Sequence, residues 1–482
     1  MAAGLRRLLL LFAVLFAWVR PLEADLPGYD DAYYARKALE VVRSGEWLAL
    51  PFNGSPTFDN PPLGVWAESV SFLILGASDA AARLPSGIFG VLSVLLLHAW
   101  LRRRSRNAEI AFIGAALFLC NPLFLKYLRR GMLDVGLLFW SLAALWVAER
   151  KPLSRPMHSA SGFLFGLAFL TKSAMSLAIP AAMILGWILE GWEGRRRLRA
   201  WATPALLGFA SAVGPWLLLM QHHFGDAFLR GHFGWLLLEE GMRGVSDTPR
   251  LGSVLDAAVV LLPLIIFYMM ALPWGVRQAL QGKGGQAVPL MLAIVPIAAT
   301  LILGPRKLWY FLLATPGLAS VAAQGIGHWS RRNPLLRSRI INVIIWIWVA
   351  GGAAVVALPV PLHMDRTADL RAVAAELGAR TGGEQLVSLI FPGESCRWNV
   401  RNSLIWYADR RIRSCSGETS ELLRGGSAGR EWVVTTSGGL DAIEAAGQPV
   451  LLWFRRGEFA LISFEQRPTP LGPVQSDPQS LM

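Results

Sequence analysis

Charge is scarce in this chain. Of its 482 residues only 16% are Asp, Glu, Lys or Arg, while 54% are hydrophobic. Soluble domains carry about a quarter charged residues, so an ordinary soluble protein is excluded. Cysteine is scarcer, with three residues, which rules out a disulfide-dense scaffold. The chain has no Gly-rich phosphate loop before a helix and no G-x-S-x-G elbow, so nothing points to nucleotide-driven or serine-hydrolase chemistry. It also lacks internal repeats in its apolar part, unlike many transporters.

Long apolar runs take their place. A membrane helix needs about 20 mostly apolar residues. Several runs come close to that, and eleven spans are read: Leu5–Val19, Ser86–Leu101, Ala108–Leu123, Leu133–Ala148, Ser161–Leu170, Ala174–Leu189, Ala200–Met220, Val254–Val276, Ala287–Leu303, Leu308–Ala323 and Ile340–Leu358. The fifth and sixth lie almost end to end. The expected fold is mainly α, a polytopic membrane helix bundle of about eleven spans.

The formal net charge is +13, and the excess is confined to one side. Arg6 and Arg7 precede the first span, and "RRRSR", "RKPLSR", "RRRLR", Arg277 with Lys283, and "RRNPLLRSR" follow every second span. Short basic loops stay cytoplasmic. This predicts a cytoplasmic N-terminus and, with an odd span count, a C-terminal region outside. The basic balance therefore reflects topology and implies no nucleic-acid partner. The first span also has an Arg pair, a short apolar core and "LEA" before Asp25, as a cleaved signal would. Leu22, however, would fill a position that favours a small residue. Under either reading, the residues after it face outward.

Two stretches outside the spans have structure of their own. In the first outer loop, residues 22–85, "DAYYARKALEVVRSG" and "PPLGVWAESVSFLILG" each carry an apolar stripe at helical spacing and end at glycine. They predict two helices at the membrane interface or packed on the bundle. After residue 360 the period changes. "DLRAVAAELGART" reads as a helix, and "QLVSLIF", "EWVVTT", "VLLWFRR" and "FALISF" read as short strands. The expected domains are a membrane domain over 1–360, a small extracytoplasmic α/β domain over 361–465, and a disordered Pro-rich tail over 466–482. Cys396 and Cys415 fall in the outer domain, where oxidation is allowed, and sequence leaves both the paired and unpaired states open.

Some charges sit on the wrong side. "KYLRRGMLD" places Arg129, Arg130 and Asp134 between spans three and four, and Lys172 stands at the break in "LTKSA". Arg306 and Lys307 precede Tyr310 in "GPRKLWY", and Arg243 follows span seven. Cations near hydrocarbon are costly unless paired or used. They can snorkel to ordinary headgroups; taken together, they suggest a site for a lipid-borne phosphate at the outer surface. On the same face "GYDDAYY" supplies Asp30 and Asp31. An Asp there can cap a helix, serve as general base for an acceptor hydroxyl, or join other acids on a divalent metal. His222, His223 and His232, with Asp226, Glu239 and Glu240, follow no known zinc spacing. No cofactor is required by the sequence.

"SGEWLALPFNGSPTFDNPPLGVW" and "GASDAAARLPSGIFGVL", followed in order by "RRGMLD", "FLTKS", "GPW", "HFGDAFLRGHF" and "RKLWYFLLATPGLA", resemble the blocks of the ArnT-like and protein-mannosyltransferase-like glycosyltransferases of the GT-C fold. The resemblance covers about Asp25 to Ala323. It implies a sugar donor on a polyprenyl phosphate, a lipid, glycan or protein acceptor, and transfer with inversion on the outer face of the cytoplasmic membrane. It implies catalytic roles for Asp30 and Asp31. It also implies donor-phosphate contacts from Arg129, Arg130, Lys172, Arg243, Arg306, Lys307 and Tyr310, and positioning by Asp59, Asn60 and Asp134. One departure stands out: the family commonly has Lys before the double proline, where this chain has Asn60. A transporter or flippase of a lipid-linked sugar is the alternative from another class, and a catalytically inert lipid-binding relative is a third.

Overall fold

Helices form where the apolar runs predict them. In the computed structural model they include Ala2–Trp18, Leu133–Ala148, Ala178–Leu189, Ala287–Leu303 and Pro334–Ala357. The structure describes residues 2–18, 26, 29–150, 154–239, 265–281, 285–303, 308–330, 334–357, 367–383, 385–391, 396–416, 431–445, 447 and 449–464. Arg243, Arg306, Lys307, the start of the Val254–Val276 run and the 466–482 tail lie outside them. Two compact units divide the chain: Met1–Ala24 with Lys37–Pro361, and Asp25–Arg36 with Leu362–Met482.

In the first unit the helices pack around a large apolar core that includes Trp100, Phe112, Phe118, Trp187 and Trp348, with smaller clusters beside it. The Trp192–Leu229 helix shows how the sequence sorts its faces. Trp201, Ala205, Val213, Trp216 and Met220 are buried, while Leu206, Leu207, Leu218 and Leu219 are exposed. Apolar side chains on both faces suit a helix with protein on one side and lipid on the other. Among the described residues, two helices are long and apolar enough to cross a membrane, Asp79–Ser105 and Trp192–Gly234. A third counts if Ala108–Leu119 and Pro122–Leu128, bent by 66°, form one span. Asn-Pro makes that bend: Pro122 cannot continue the helix, and the Asn121 side chain accepts from the backbone N–H groups of Leu123 and Phe124. Several other expected spans are shorter helices here. The Leu308–Ala323 run opens with a 3-10 segment, Leu308–Ala314, before the Thr315–Trp329 helix. The fifth and sixth runs are separate, divided at Ser173.

Both helices expected in the first outer loop are present, Asp30–Ser44 and Pro62–Leu75. Gly45 ends the first at φ +75, its N–H bonded to the Val41 carbonyl at 3.0 Å. Pro61 precedes the second, with Pro62 at its first position. Between them "PFNGSP" folds as a hairpin, β1 (Pro51–Phe52) with β2 (Ser55–Pro56). Asn53 and Gly54 both have positive φ, as an Asn-Gly turn of this type requires.

The second unit contains a five-stranded sheet in the order β4-β3-β5-β7-β6, where β3 is Val387–Ile390, β4 Ile412–Ser416, β5 Glu431–Thr436, β6 Val450–Arg456 and β7 Phe459–Phe464. Strand β3 runs parallel to β4 and β5, and β7 runs antiparallel to β5 and β6. The fully buried β3 and β7 are mostly apolar, each broken by one serine, Ser388 and Ser463. Sequence reasoning missed β4, because "IRSCS" neither alternates nor runs apolar. Edge pairing and a disulfide between Cys396 and Cys415, with Cα atoms 5.3 Å apart, hold it in place.

Helices Arg155–Lys172 and Trp192–Leu229 meet through reciprocal glycines. A Cβ on Gly162 would strike the Ala205 carbonyl, and one on Gly208 the Ser159 carbonyl. Small residues allow such close backbone approach in membranes. Gly162→Ala is expected to cost about 1–3 kcal/mol, read as a lower thermal midpoint in detergent. Gly214→Ala, which meets nothing within 4 Å, is expected to leave the midpoint unchanged or raise it.

Candidate functional site: two buried lysines and a bridging histidine

Asp134 lies in the first turn of the Leu133–Ala148 helix, and Lys172 is the last residue of the Arg155–Lys172 helix. Each charge thus sits at the helix end whose dipole favours it. They meet away from water: Lys172 Nζ donates to both Asp134 carboxylate oxygens at 2.9 Å, with side chains 11% and 4% exposed. The 3-10 segment adds ring faces, Tyr310 at 5.3 Å and Trp309 at 5.9 Å from Nζ. Trp309 continues to Tyr127 at 6.4 Å between centroids, and Arg130 and Lys126 lie over the Tyr127 ring. Four sequence-predicted residues, Arg130, Asp134, Lys172 and Tyr310, are therefore brought together around two aromatics that sequence reasoning did not select. Lys172, expected as a bare phosphate cation, is already matched to a carboxylate.

Arg129 is half-buried beside this cluster. Burial pushes its guanidinium pKa down, and Arg83 lowers it further. Ser86, one turn beyond Arg83, donates to the Met132 carbonyl at 2.8 Å and holds the 129–132 turn.

A second group surrounds Lys37, which is wholly buried. Its ammonium donates to Asp59 at 2.6 Å and to Asn60 Oδ1 at 3.1 Å. One turn on, Glu40 accepts the N–H groups of Asn53 and Gly54 at 3.0 and 2.9 Å, so one helix face anchors both the hairpin turn and the loop after it. Asp59 and Asn60 were expected to position substrate; Lys37 was missed. Its signal is its place inside the apolar stripe, three residues after Tyr34 and four before Val41.

His232 links the two groups. Its Nδ1 lies 2.6 Å from the Phe58 carbonyl, next to Asp59, and its Nε2 lies 3.1 Å from Ser173 Oγ, next to Lys172. A carbonyl only accepts, so Nδ1 carries the proton. Phe228 stacks on the ring and Trp216 meets it edge-on. Both ring nitrogens of His232 are thus engaged in hydrogen bonds. Among the described residues no three of His, Cys, Asp and Glu are grouped to hold a metal.

Asp30 and Asp31 open the Asp30–Ser44 helix. The Tyr33 N–H bonds the Tyr29 carbonyl at 3.3 Å, so both acids lie inside the first turn rather than at the capping position before it. Asp31 is wholly buried and Asp30 half-buried.

Residues 59–218 match the family described as dolichyl-phosphate-mannose-protein mannosyltransferase. The chain also aligns over 97% of its length with all of ArnT from Cupriavidus metallidurans bound to undecaprenyl phosphate, at a TM-score of 0.75 and 16% identity. The fold is ArnT-like. The archaeal oligosaccharyltransferase AglB of Archaeoglobus fulgidus shares it more distantly, with TM-score 0.61 and 14% identity over 90% of this chain and 69% of that one. The undecaprenyl phosphate-alpha-4-amino-4-deoxy-L-arabinose arabinosyl transferase of Edwardsiella ictaluri is 25% identical over 72% of this chain and 64% of its own. The second such transferase of Proteus mirabilis is 30% identical over 44% and 39%. The chain thus spans less than two thirds of the length of these relatives. The ArnT-like, protein-mannosyltransferase-like resemblance read from the sequence holds.

Asp134→Asn would leave Lys172 buried beside a neutral amide. A loss of about 3–5 kcal/mol is expected, most of it recovered by Lys172→Met with Asp134→Leu. Thermal unfolding of the purified variants checks both.

Proposed function

We propose that this protein transfers a monosaccharide from a polyprenyl-phosphate donor to a lipid A-type glycolipid, polysaccharide or protein acceptor on the outer face of the cytoplasmic membrane. The single observation that carries this reading is the joined set of buried, aromatic-lined cations in the turns between apolar helices, Lys172 on Asp134 and Arg130 on Tyr127. The names of the relatives support it and make undecaprenyl-phosphate 4-amino-4-deoxy-L-arabinose the first donor to assay.

The reaction is one displacement at the anomeric carbon. The acceptor oxygen forms the new bond, the bond to the phosphate oxygen breaks, and that oxygen keeps the electron pair. The centre inverts. Arg129, Arg130, Lys172, Arg243, Arg306 and Lys307 supply positive charge for the leaving phosphate, with Tyr310 beside Lys172. Preorganised cations in a water-poor site stabilise such developing charge strongly. Asp30 takes the proton from a hydroxyl acceptor, or only orients a phosphate acceptor, which is already anionic. Asp31 supports it. Asp59, Asn60 and Asp134 hold the loops in place.

The chain is read as multi-pass in the inner membrane, with about eleven spans, N-terminus inside and the α/β domain outside. One-sided basic loops support that orientation, as does a disulfide in the second unit.

Asp30→Asn is expected to abolish transfer of labelled sugar while donor binding persists. Wild-type transfer by this variant would remove Asp30 from the mechanism. A cysteine at Arg102, exposed in the last turn of the Asp79–Ser105 helix, is expected to react with a membrane-impermeant thiol reagent only in inverted vesicles, and one at exposed Glu444 only in right-side-out cells; the opposite pattern would reverse the topology.

A further inference from the structure

The acids proposed for catalysis are held by a part of the chain far away in sequence. Residues Asp25–Arg36 pack with the C-terminal unit, and most of that grip comes from one helix, Trp398–Ala408, and the residue that ends it. The Tyr407 hydroxyl accepts the Leu26 N–H at 2.6 Å and reaches the Leu26 carbonyl at 3.3 Å. Asn402, wholly buried, donates to the Tyr29 carbonyl at 3.4 Å. Trp398 packs on Tyr33, centroids 5.0 Å apart. Arg36 donates to the Ile405 carbonyl at 3.2 Å and to Asp409 at 2.5 Å. These contacts fall on both sides of Asp30 and Asp31.

The gripping helix is itself fixed at both ends. Cys396, two residues before it, is bonded to Cys415 in β4 just after it. Asp409 ends it in the left-handed region at φ 53, where Asp and Asn are tolerated. Arg410 then donates to the Gly378 carbonyl at 2.9 Å and the Thr381 hydroxyl at 2.8 Å, pinning the exit to the end of the Thr367–Arg380 helix. Burial lowers the Arg401 guanidinium pKa on the same helix, in keeping with a face closed to water.

We infer that the disulfide-stapled Trp398–Ala408 helix is a clamp that sets the position of Asp30 and Asp31, with Tyr407, Asn402 and Asp409 as positioning residues. This rests on the proposed role of Asp30. A clamp of this kind acts on geometry at the reacting centre and leaves the binding of a lipid-phosphate donor untouched. A displacement of about 1 Å at such a centre can cost roughly a hundredfold in rate, so loosening the clamp costs turnover.

The test uses full-length protein in nanodiscs with a labelled polyprenyl-phosphate sugar. Tyr407→Phe removes a hydroxyl, and Asp409→Asn removes a charge while keeping a residue that tolerates the left-handed conformation. The two together are expected to lower kcat about tenfold or more, with donor KM within twofold and the thermal midpoint within a few degrees of wild type. Cys396→Ser with Cys415→Ser is expected to show the same split. Arg36→Gln combined with Asp409→Asn is expected to cost less than the sum of the two single changes, since they share one ion pair while Arg36 also bonds the Ile405 carbonyl. Unchanged kcat, or a change confined to KM, overturns the clamp. If Asp30→Asn is inactive while the clamp variants turn over normally, only the clamp fails. If Asp30→Asn is fully active, the catalytic reading fails first and the clamp with it.

Discussion

A lysine and an aspartate paired away from water organise the first unit. Burying two opposite charges rarely adds net stability, because lost hydration offsets their attraction. Such a pair is better understood through what it positions. An unpaired lysine at the end of a membrane helix would extend toward the headgroups. Lys172 does not, because a two-oxygen contact with Asp134 and the faces of Trp309 and Tyr310 fix its ammonium in place. The pair also joins the far ends of two consecutive helices, its members 38 residues apart in the chain.

Its influence extends through the neighbouring backbone. Ser173 follows Lys172 and bonds His232, and His232 bonds the carbonyl before Asp59. Asp59 and Asn60 in turn hold Lys37. Each tie uses a buried polar group that would be costly to leave unmet, so the loops are set jointly. That is the preorganisation a site for developing phosphate charge requires. Lys172 is matched by Asp134, and Arg83 lowers the Arg129 guanidinium pKa beyond the effect of burial.

Much of this was legible in the sequence because charges in the wrong place are conspicuous in a charge-poor chain. Arg130, Asp134 and Lys172 could be selected that way and do lie together, with Tyr310, which the family resemblance supplied. Lys37 escaped because a lysine in an amphipathic helix normally faces water. Here its neighbours three and four residues away are apolar, and Asp59 and Asn60, distant in sequence, help make burial tolerable. Tyr127 and Trp309 escaped because aromatics in membrane helices are usually core or interface. The first-loop helices were readable from glycine and proline punctuation, and the central strands from apolar runs. Edge strand β4 was not, since its stability comes from partners and a covalent bond rather than from its own residues. The assignment of Asp25–Arg36 to the C-terminal unit was equally invisible, because it depends on pairs such as Arg36 with Asp409, over 370 residues apart.

The Asn60 departure has a physical reading in these terms. A lysine at position 60 would bring its ammonium to within reach of Lys37, which already lies 3.1 Å from the Asn60 side chain. Two like charges about 3 Å apart repel by about 5 kcal/mol at an effective dielectric of 20. With Lys37 supplied from the Asp30–Ser44 helix, position 60 must present an acceptor, and the amide oxygen of asparagine is one. Position 60 thus completes the acceptor set around a charge that the Asp30–Ser44 helix supplies.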